Sequence, residues 1–162
     1  MNYLAGFLLT ELLLPLLKRS APARIVNVSS LGQQALDFTD VMLTHEYSGI
    51  RAYRQSKLAQ ILFTFDLAQE LEGSGITVNA LHPATFMNTK MVRDFGTPRS
   101  TVEEGALAIL KLATSAEVEG RSGLYFNGQE EARADSQAYD PQARQRLRRF
   151  SLELTGIPSA RS

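Results

Sequence analysis

Cysteine is absent from the 162 residues, which excludes disulfides and thiolate metal sites. Net charge is absent too. Seventeen Lys and Arg balance 17 Asp and Glu, leaving no long-range field to draw in nucleic acid or an anionic membrane. A long hydrophobic run is also missing. Leu4 to Leu17 is apolar, but Glu11 and Pro15 interrupt it and it is too short to span a bilayer. As a signal peptide it would lack a positive leader, because Lys18-Arg19 lies on its far side, so a buried helix is the expectation. The 11 glycines never form G-x-x-x-G-x-G or G-x-G-x-x-G at a strand-to-helix junction. The usual turn for cradling phosphates is therefore missing.

What remains is ordinary for a globular chain: 44% apolar and 21% charged residues, enough for a single domain over 1–162. The pattern predicts a helix over 3–18, kinked near Pro15, and a turn at Ala21-Pro22-Ala23. The β-branched run Arg24-Ile-Val-Asn-Val-Ser-Ser30 then predicts a buried strand over 24–29. After a loop over 31–50, apolar residues at helical spacing predict a helix over 51–73, with Gly73 and Gly75 suited to its cap. Gly75 to Pro83 reads as a second strand ending in a Pro turn. Strand, helix, strand is a βαβ unit and implies a parallel sheet. Thr101-Val-Glu-Glu104 is a capping-box pattern for a helix to Thr114. Gly123 to Asn127 reads as a third strand, and Asp140-Pro141 opens a last helix. Its arginines, Arg144, Arg146, Arg148 and Arg149, read as a solvated basic face rather than a nucleic-acid site.

One stretch carries chemistry. In Tyr53-Arg-Gln-Ser-Lys57, helical spacing sets the Tyr and Lys on one face, an ammonium beside a phenol. A positive neighbour favours phenolate, and such a phenol can exchange a proton with a carbonyl oxygen near neutral pH. Ser29-Ser30 closes the first strand, and ligands of open α/β sheets bind beyond strand carboxyl ends. Phe86, Met87, Met91, Val92 and Phe95 read equally as a packed lid or as the wall of an apolar substrate site. Asp37, Asp40 and His45 read as loop residues. A hydrolytic site pairing Ser30 with His45 or His82 lacks the G-x-S-x-G elbow.

Ile25-Val-Asn-Val-Ser-Ser30, Tyr53-x-x-x-Lys57 and Val78-Asn-Ala-Leu-His-Pro83, preceded by Asn2-x-x-x-x-Phe-Leu-Leu-Thr10, resemble the carboxyl-terminal half of the short-chain dehydrogenase/reductase family, in its retinol-dehydrogenase-like branch. The resemblance runs from about Asn2 to Ile157. It implies an α/β fold, a partial Rossmann-like doubly wound parallel sheet lacking its amino-terminal nucleotide-binding half. The implied activity is NAD- or NADP-dependent interconversion of an alcohol and a carbonyl. Tyr53 would be the acid/base, Lys57 its electrostatic partner and a holder of the nicotinamide ribose. Ser30 would orient the substrate oxygen, and Asn2 would anchor a water of a proton relay. Cofactor contacts would come from Tyr53, Lys57, Pro83, Ala84 (where the family has Gly) and either Asn88 or Thr89. Ser30, Phe86 and Met91 would meet an apolar alcohol or carbonyl, and no metal is implied.

The resemblance further implies a cytoplasmic homo-oligomer joined through helices 3–18 and 51–73. With the Gly-rich turn missing, the expectation is a truncated product or a start placed at an internal Met, with one edge of the strand at 24–29 left open. The alternative is a non-catalytic remnant acting as a packing or dimerising module.

Overall fold

A computed structural model describes residues 2–45 and 47–158, with the main chain alone at Met91 and Phe95. Helix α1 (Leu4–Arg19) carries Pro15 within it and buries Phe7, Glu11 and Leu14. Strand β1 (Ala23–Val28) leads into the loop over 29–48. Helix α2 (Gly49–Glu70) is capped by Ser48, whose hydroxyl accepts from the Arg51 amide. It ends before the two glycines expected at its cap. Gly73 and Gly75, at φ 75° and 77°, instead form the turn into strand β2 (Ile76–His82), a left-handed backbone that favours glycine. Helices α3 (Lys90–Phe95) and α4 (Val102–Thr114) follow, the latter with both halves of the expected capping box. Strands β3 (Tyr125–Asn127) and β4 (Glu130–Ala132) and helix α5 (Pro141–Thr155) complete the chain.

The sheet order is β1-β2-β3-β4. The first three strands are parallel, and β4 returns antiparallel to β3. No strand was expected at Glu130-Glu-Ala132. That segment has no alternating pattern, and its pairing comes from the turn at Gly128, at φ 61°. Within the described sheet β1 pairs with β2 alone, so it forms an edge.

Strand periodicity distributes the core over two faces. Ile76, Val78 and Ala80 of β2 point toward α1, α2 and α5, whereas Leu81 packs with Ala108 and Leu112 of α4 and with Phe126. Tyr125 and Phe126 of β3 divide the same way. Helix α2 is buried along most of its length, from Leu58 to Ala68. Helix α1 covers the sheet with one stripe only. Leu9, Leu12, Leu13 and Leu16 face outward and are exposed.

The basic helix α5 is not simply a solvated face. Arg148 clamps α5 to α2, with Nε on Asp66 (2.6 Å) and a second nitrogen on Glu70. The Arg146 guanidinium lies 4.5 Å over the Phe38 ring, and Tyr3 shares a 2.8 Å hydrogen bond with Ser151. Among the described residues no helix is long and apolar enough to cross a membrane.

Candidate active site

Strands β1 and β2 run in register, with Val28 opposite Leu81, so their carboxyl ends leave the sheet together. Ser29-Ser30 stands at one end and His82-Pro83 at the other. The Ser29 amide makes the last rung, donating to the Leu81 carbonyl at 2.7 Å. Its hydroxyl turns inward and donates to the Lys57 carbonyl at 2.7 Å. Lys57 reciprocates, its Nζ donating to the Val28 carbonyl at 3.0 Å. This pair of bonds staples α2 to the end of β1 and sets the height of α2 beside the sheet.

Ser30 is buried and held by its main chain. Its carbonyl accepts from the Tyr125 hydroxyl (3.0 Å) and from Gln33 Nε2 (3.0 Å). Burial pushes the Tyr125 phenol up to about 12, so it remains a donor through neutral pH. The Ser30 hydroxyl accepts from the Gly32 amide at 3.0 Å, which leaves its own proton free to donate. Tyr53 and Ser30 both stand close to Gly32. Its Cε1 and the Ser30 Oγ each lie 3.5 Å from the point where a β-carbon on Gly32 would stand. Tyr53 is 43% exposed, and its hydroxyl has no hydrogen-bond partner among the described residues.

Lys57 Nζ lies 5.8 Å from the Tyr53 ring centroid, as i,i+4 spacing requires. Burial holds its pKa below the ordinary lysine value. Asn2 joins this cluster through its carbonyl. Gln60 Nε2 donates to it at 2.8 Å, while Gln60 Oε1 accepts from Lys57 Nζ at 3.2 Å. Sequence reasoning missed Gln60, Gln33 and Tyr125. For Gln60 a signal existed, since it lies three residues after Lys57 on one helical face. Gln33 and Tyr125 reach Ser30 from a loop and from β3, and no local spacing announces them.

The remaining expected site residues lie along the segment after β2. Pro83 is buried and Ala84 half-buried, beside the end of β1. Both side chains offered as alternatives have local partners. The Thr89 hydroxyl caps α3 by accepting from the Val92 amide, and Asn88 Oδ1 accepts from Arg93 at 2.8 Å. Phe86 stands out at 56% exposure, at φ 48°, with the Arg99 guanidinium 5.6 Å from its ring centroid. Met87 packs against α4, where its sulfur fills the space that a β-carbon on Gly105 would need. The Met91 side chain lies outside the described residues. Of the two histidines, His82 Nε2 meets Thr85 Oγ1 at 3.0 Å, and His45 faces Thr44 and Asp40. Neither histidine is hydrogen-bonded to Ser30, which leaves the hydrolytic arrangement without a base in contact.

A family model described as short chain dehydrogenase matches residues 1–100. Human retinol dehydrogenase 13 is 40% identical over 99% of this chain and 54% of its own length. Human retinol dehydrogenase 14 is 40% identical over 96% of this chain and 51% of its own. The chain thus spans about half the length of these curated relatives. Among solved structures, a protein from Mycobacterium paratuberculosis superimposes with a TM-score of 0.70 at 27% identity, covering 96% of this chain and 57% of that one. NADPH-bound carbonyl reductase from chicken fatty liver gives a TM-score of 0.61 at 29% identity, covering 82% and 52% respectively.

Proposed function

The chain belongs to the short-chain dehydrogenase family, and from that premise we propose that it carries the proton-transfer half of an NAD(P)-dependent oxidoreductase interconverting an alcohol and a carbonyl. The observation behind this reading is that Tyr53 Cε1 and Ser30 Oγ come within 3.5 Å of the same point at Gly32, with the Tyr53 hydroxyl unpartnered among the described residues and the Lys57 ammonium on the face of α2 that carries Tyr53. Tyr53 exchanges the proton with the substrate oxygen. Ser30, its own proton uncommitted, donates a hydrogen bond to that oxygen and fixes its direction. Lys57 supplies positive charge where negative charge develops on oxygen.

The residues present fit the nicotinamide-ribose end of a dinucleotide: an exposed Tyr53, an ammonium at Lys57, and main chain at Pro83-Ala84 after the carboxyl end of β2. Asn88 or Thr89 is the further candidate contact. A bound nicotinamide supplies or takes up the hydride. The glycine-rich cradle for its pyrophosphate is not in the 162 residues. The substrate is of the apolar alcohol or aldehyde class that the relatives' name, retinol dehydrogenase, denotes, with Phe86 along its path.

The test is reduction of an apolar aldehyde with NADH and NADPH, by the protein and by Tyr53→Phe, with circular dichroism as a check on folding. The Phe variant should lose about 100-fold or more in rate, the scale of one positioned acid/base, with its fold retained. Turnover at the parental rate would remove Tyr53 from the mechanism. The exposed stripe Leu9, Leu12, Leu13 and Leu16 on α1 favours a second reading, a packing or dimerising module that kept the family's core. A folded chain with no turnover on either cofactor and a defined oligomeric state would select it.

A further inference from the structure

Two of the site residues are joined through a third side chain that the family reading does not place. We propose that Gln60 is a positioning residue, an amide bridge that fixes the Lys57 ammonium and ties it to the main chain at the start of α1. The inference deepens the proposed acid/base reading of Tyr53 and Lys57 and rests on it for its catalytic meaning.

The donors and acceptors permit only one orientation of the amide. A lysine ammonium is a donor only, so the atom 3.2 Å from Lys57 Nζ is the oxygen, Oε1. The Asn2 carbonyl is an acceptor only, so the atom 2.8 Å from it is the nitrogen, Nε2. The reversed amide would set donor against donor at one end and acceptor against acceptor at the other. Gln60 therefore reads both neighbours at once, and neither a carboxylate nor an apolar chain of the same length can do so.

The bridge has a reason to exist. Lys57 has four rotatable carbons and loses much side-chain entropy when fixed. Its ammonium is partly withdrawn from water and has two neutral acceptors, the Val28 carbonyl on β1 and the Gln60 amide on α2. The titratable group it faces is Tyr53, on the same helix. Val28 anchors Nζ toward the sheet, and Gln60 anchors it toward α1. Together they hold it on the face of α2 that carries Tyr53. Without Gln60, Nζ would keep one protein acceptor and be freer to swing into solvent.

The experiment follows each lysine by its 13Cε resonance in the full chain as pH is raised. Lys18, Lys57, Lys90 and Lys111 are the lysines present, and loss of one signal in Lys57→Arg assigns Lys57. In Gln60→Met, which keeps the length and removes both polar atoms, the Lys57 midpoint should move further down, because an acceptor of the charged form is gone. In Gln60→Glu it should move up, because an anion replaces the amide. Gln60→Asn, one carbon short, should behave as Gln60→Met. Amide exchange in the first turn of α1 should quicken about threefold to tenfold in Gln60→Met, the equivalent of about one hydrogen bond. Quickened exchange with an unmoved Lys57 midpoint would reduce Gln60 to a helix tether and overturn the proposal. An unmoved midpoint in both Gln60→Met and Gln60→Glu would do the same.

The titration needs neither substrate nor cofactor, so it stands apart from the catalytic reading. A parallel arm compares the pH–rate profile of carbonyl reduction, whose limb reports Tyr53 and should shift when the Lys57 ammonium beside it is released. A midpoint that moves while the profile does not would sink the acid/base reading and leave the bridge intact.

Discussion

The Ser30 carbonyl is buried and takes two donors, the Tyr125 hydroxyl and Gln33 Nε2, each at 3.0 Å. Removing either donor alone leaves the oxygen satisfied by the other. Tyr125→Phe should therefore cost only the net value of one hydrogen bond, about 1 kcal/mol, with no unsatisfied acceptor behind it. Gln33→Leu should cost about 1–2 kcal/mol, because Gln33 Oε1 also accepts from the Asp135 amide at 2.8 Å. The double variant leaves the oxygen with neither donor. A buried unpaired carbonyl costs about 1–3 kcal/mol, so the pair should fall below the sum of the singles by about 1–2 kcal/mol. Urea denaturation of the parent, both singles and the double closes the cycle. Additivity within about 0.5 kcal/mol would refute the reasoning and mean that the loop at 30–33 relaxes enough to expose the carbonyl to water.

Gly105→Ala should destabilise by about 1 kcal/mol, the low end for overpacking, because the flexible Met87 side chain occupying that space can move aside. Thermal melts of Gly105→Ala alone and with Met87→Ala should show the second change relieving the first, and an unchanged midpoint in Gly105→Ala would show that Met87 does not pack there. Asp40 accepts from the His45 amide and from the amide and hydroxyl of Thr44, and these bonds lower its pKa to about 2. A carboxylate depressed in the folded state stabilises fully above its unfolded value near 4, and that contribution fades as pH falls through about 2. Hydrogen exchange at Thr44 and His45 should accordingly stay slow at pH 5 and lose protection near pH 2. In Asp40→Ala it should be fast at both, and equal protection in the variant would show that the carboxylate does not hold the loop.

The sequence by itself determined the βαβ frame, the cap at Thr101 and the placing of Tyr53 with Lys57. Each of these rests on local physics: a period of 3.6 or 2, a capping hydroxyl three residues from a carboxylate, an i,i+4 step. It also placed Ser30 at a strand's carboxyl end, and a parallel sheet gathers such ends on one side. Tertiary structure decided what no local spacing encodes. Strand β4 exists because Gly128 turns the chain back onto β3, not because Glu130-Glu-Ala132 favours a strand. Met87 belongs to α4 because only the missing β-carbon of Gly105 makes room for it. The basic residue Arg148 is a clamp because Asp66 and Glu70 lie one turn apart on α2, far back in the chain. Ser30 is fixed by Tyr125 and Gln33, and Lys57 by Val28 and Gln60. A sequence names the groups that do chemistry through their type and step, but the side chains that aim them are selected by distance, which only the folded chain sets.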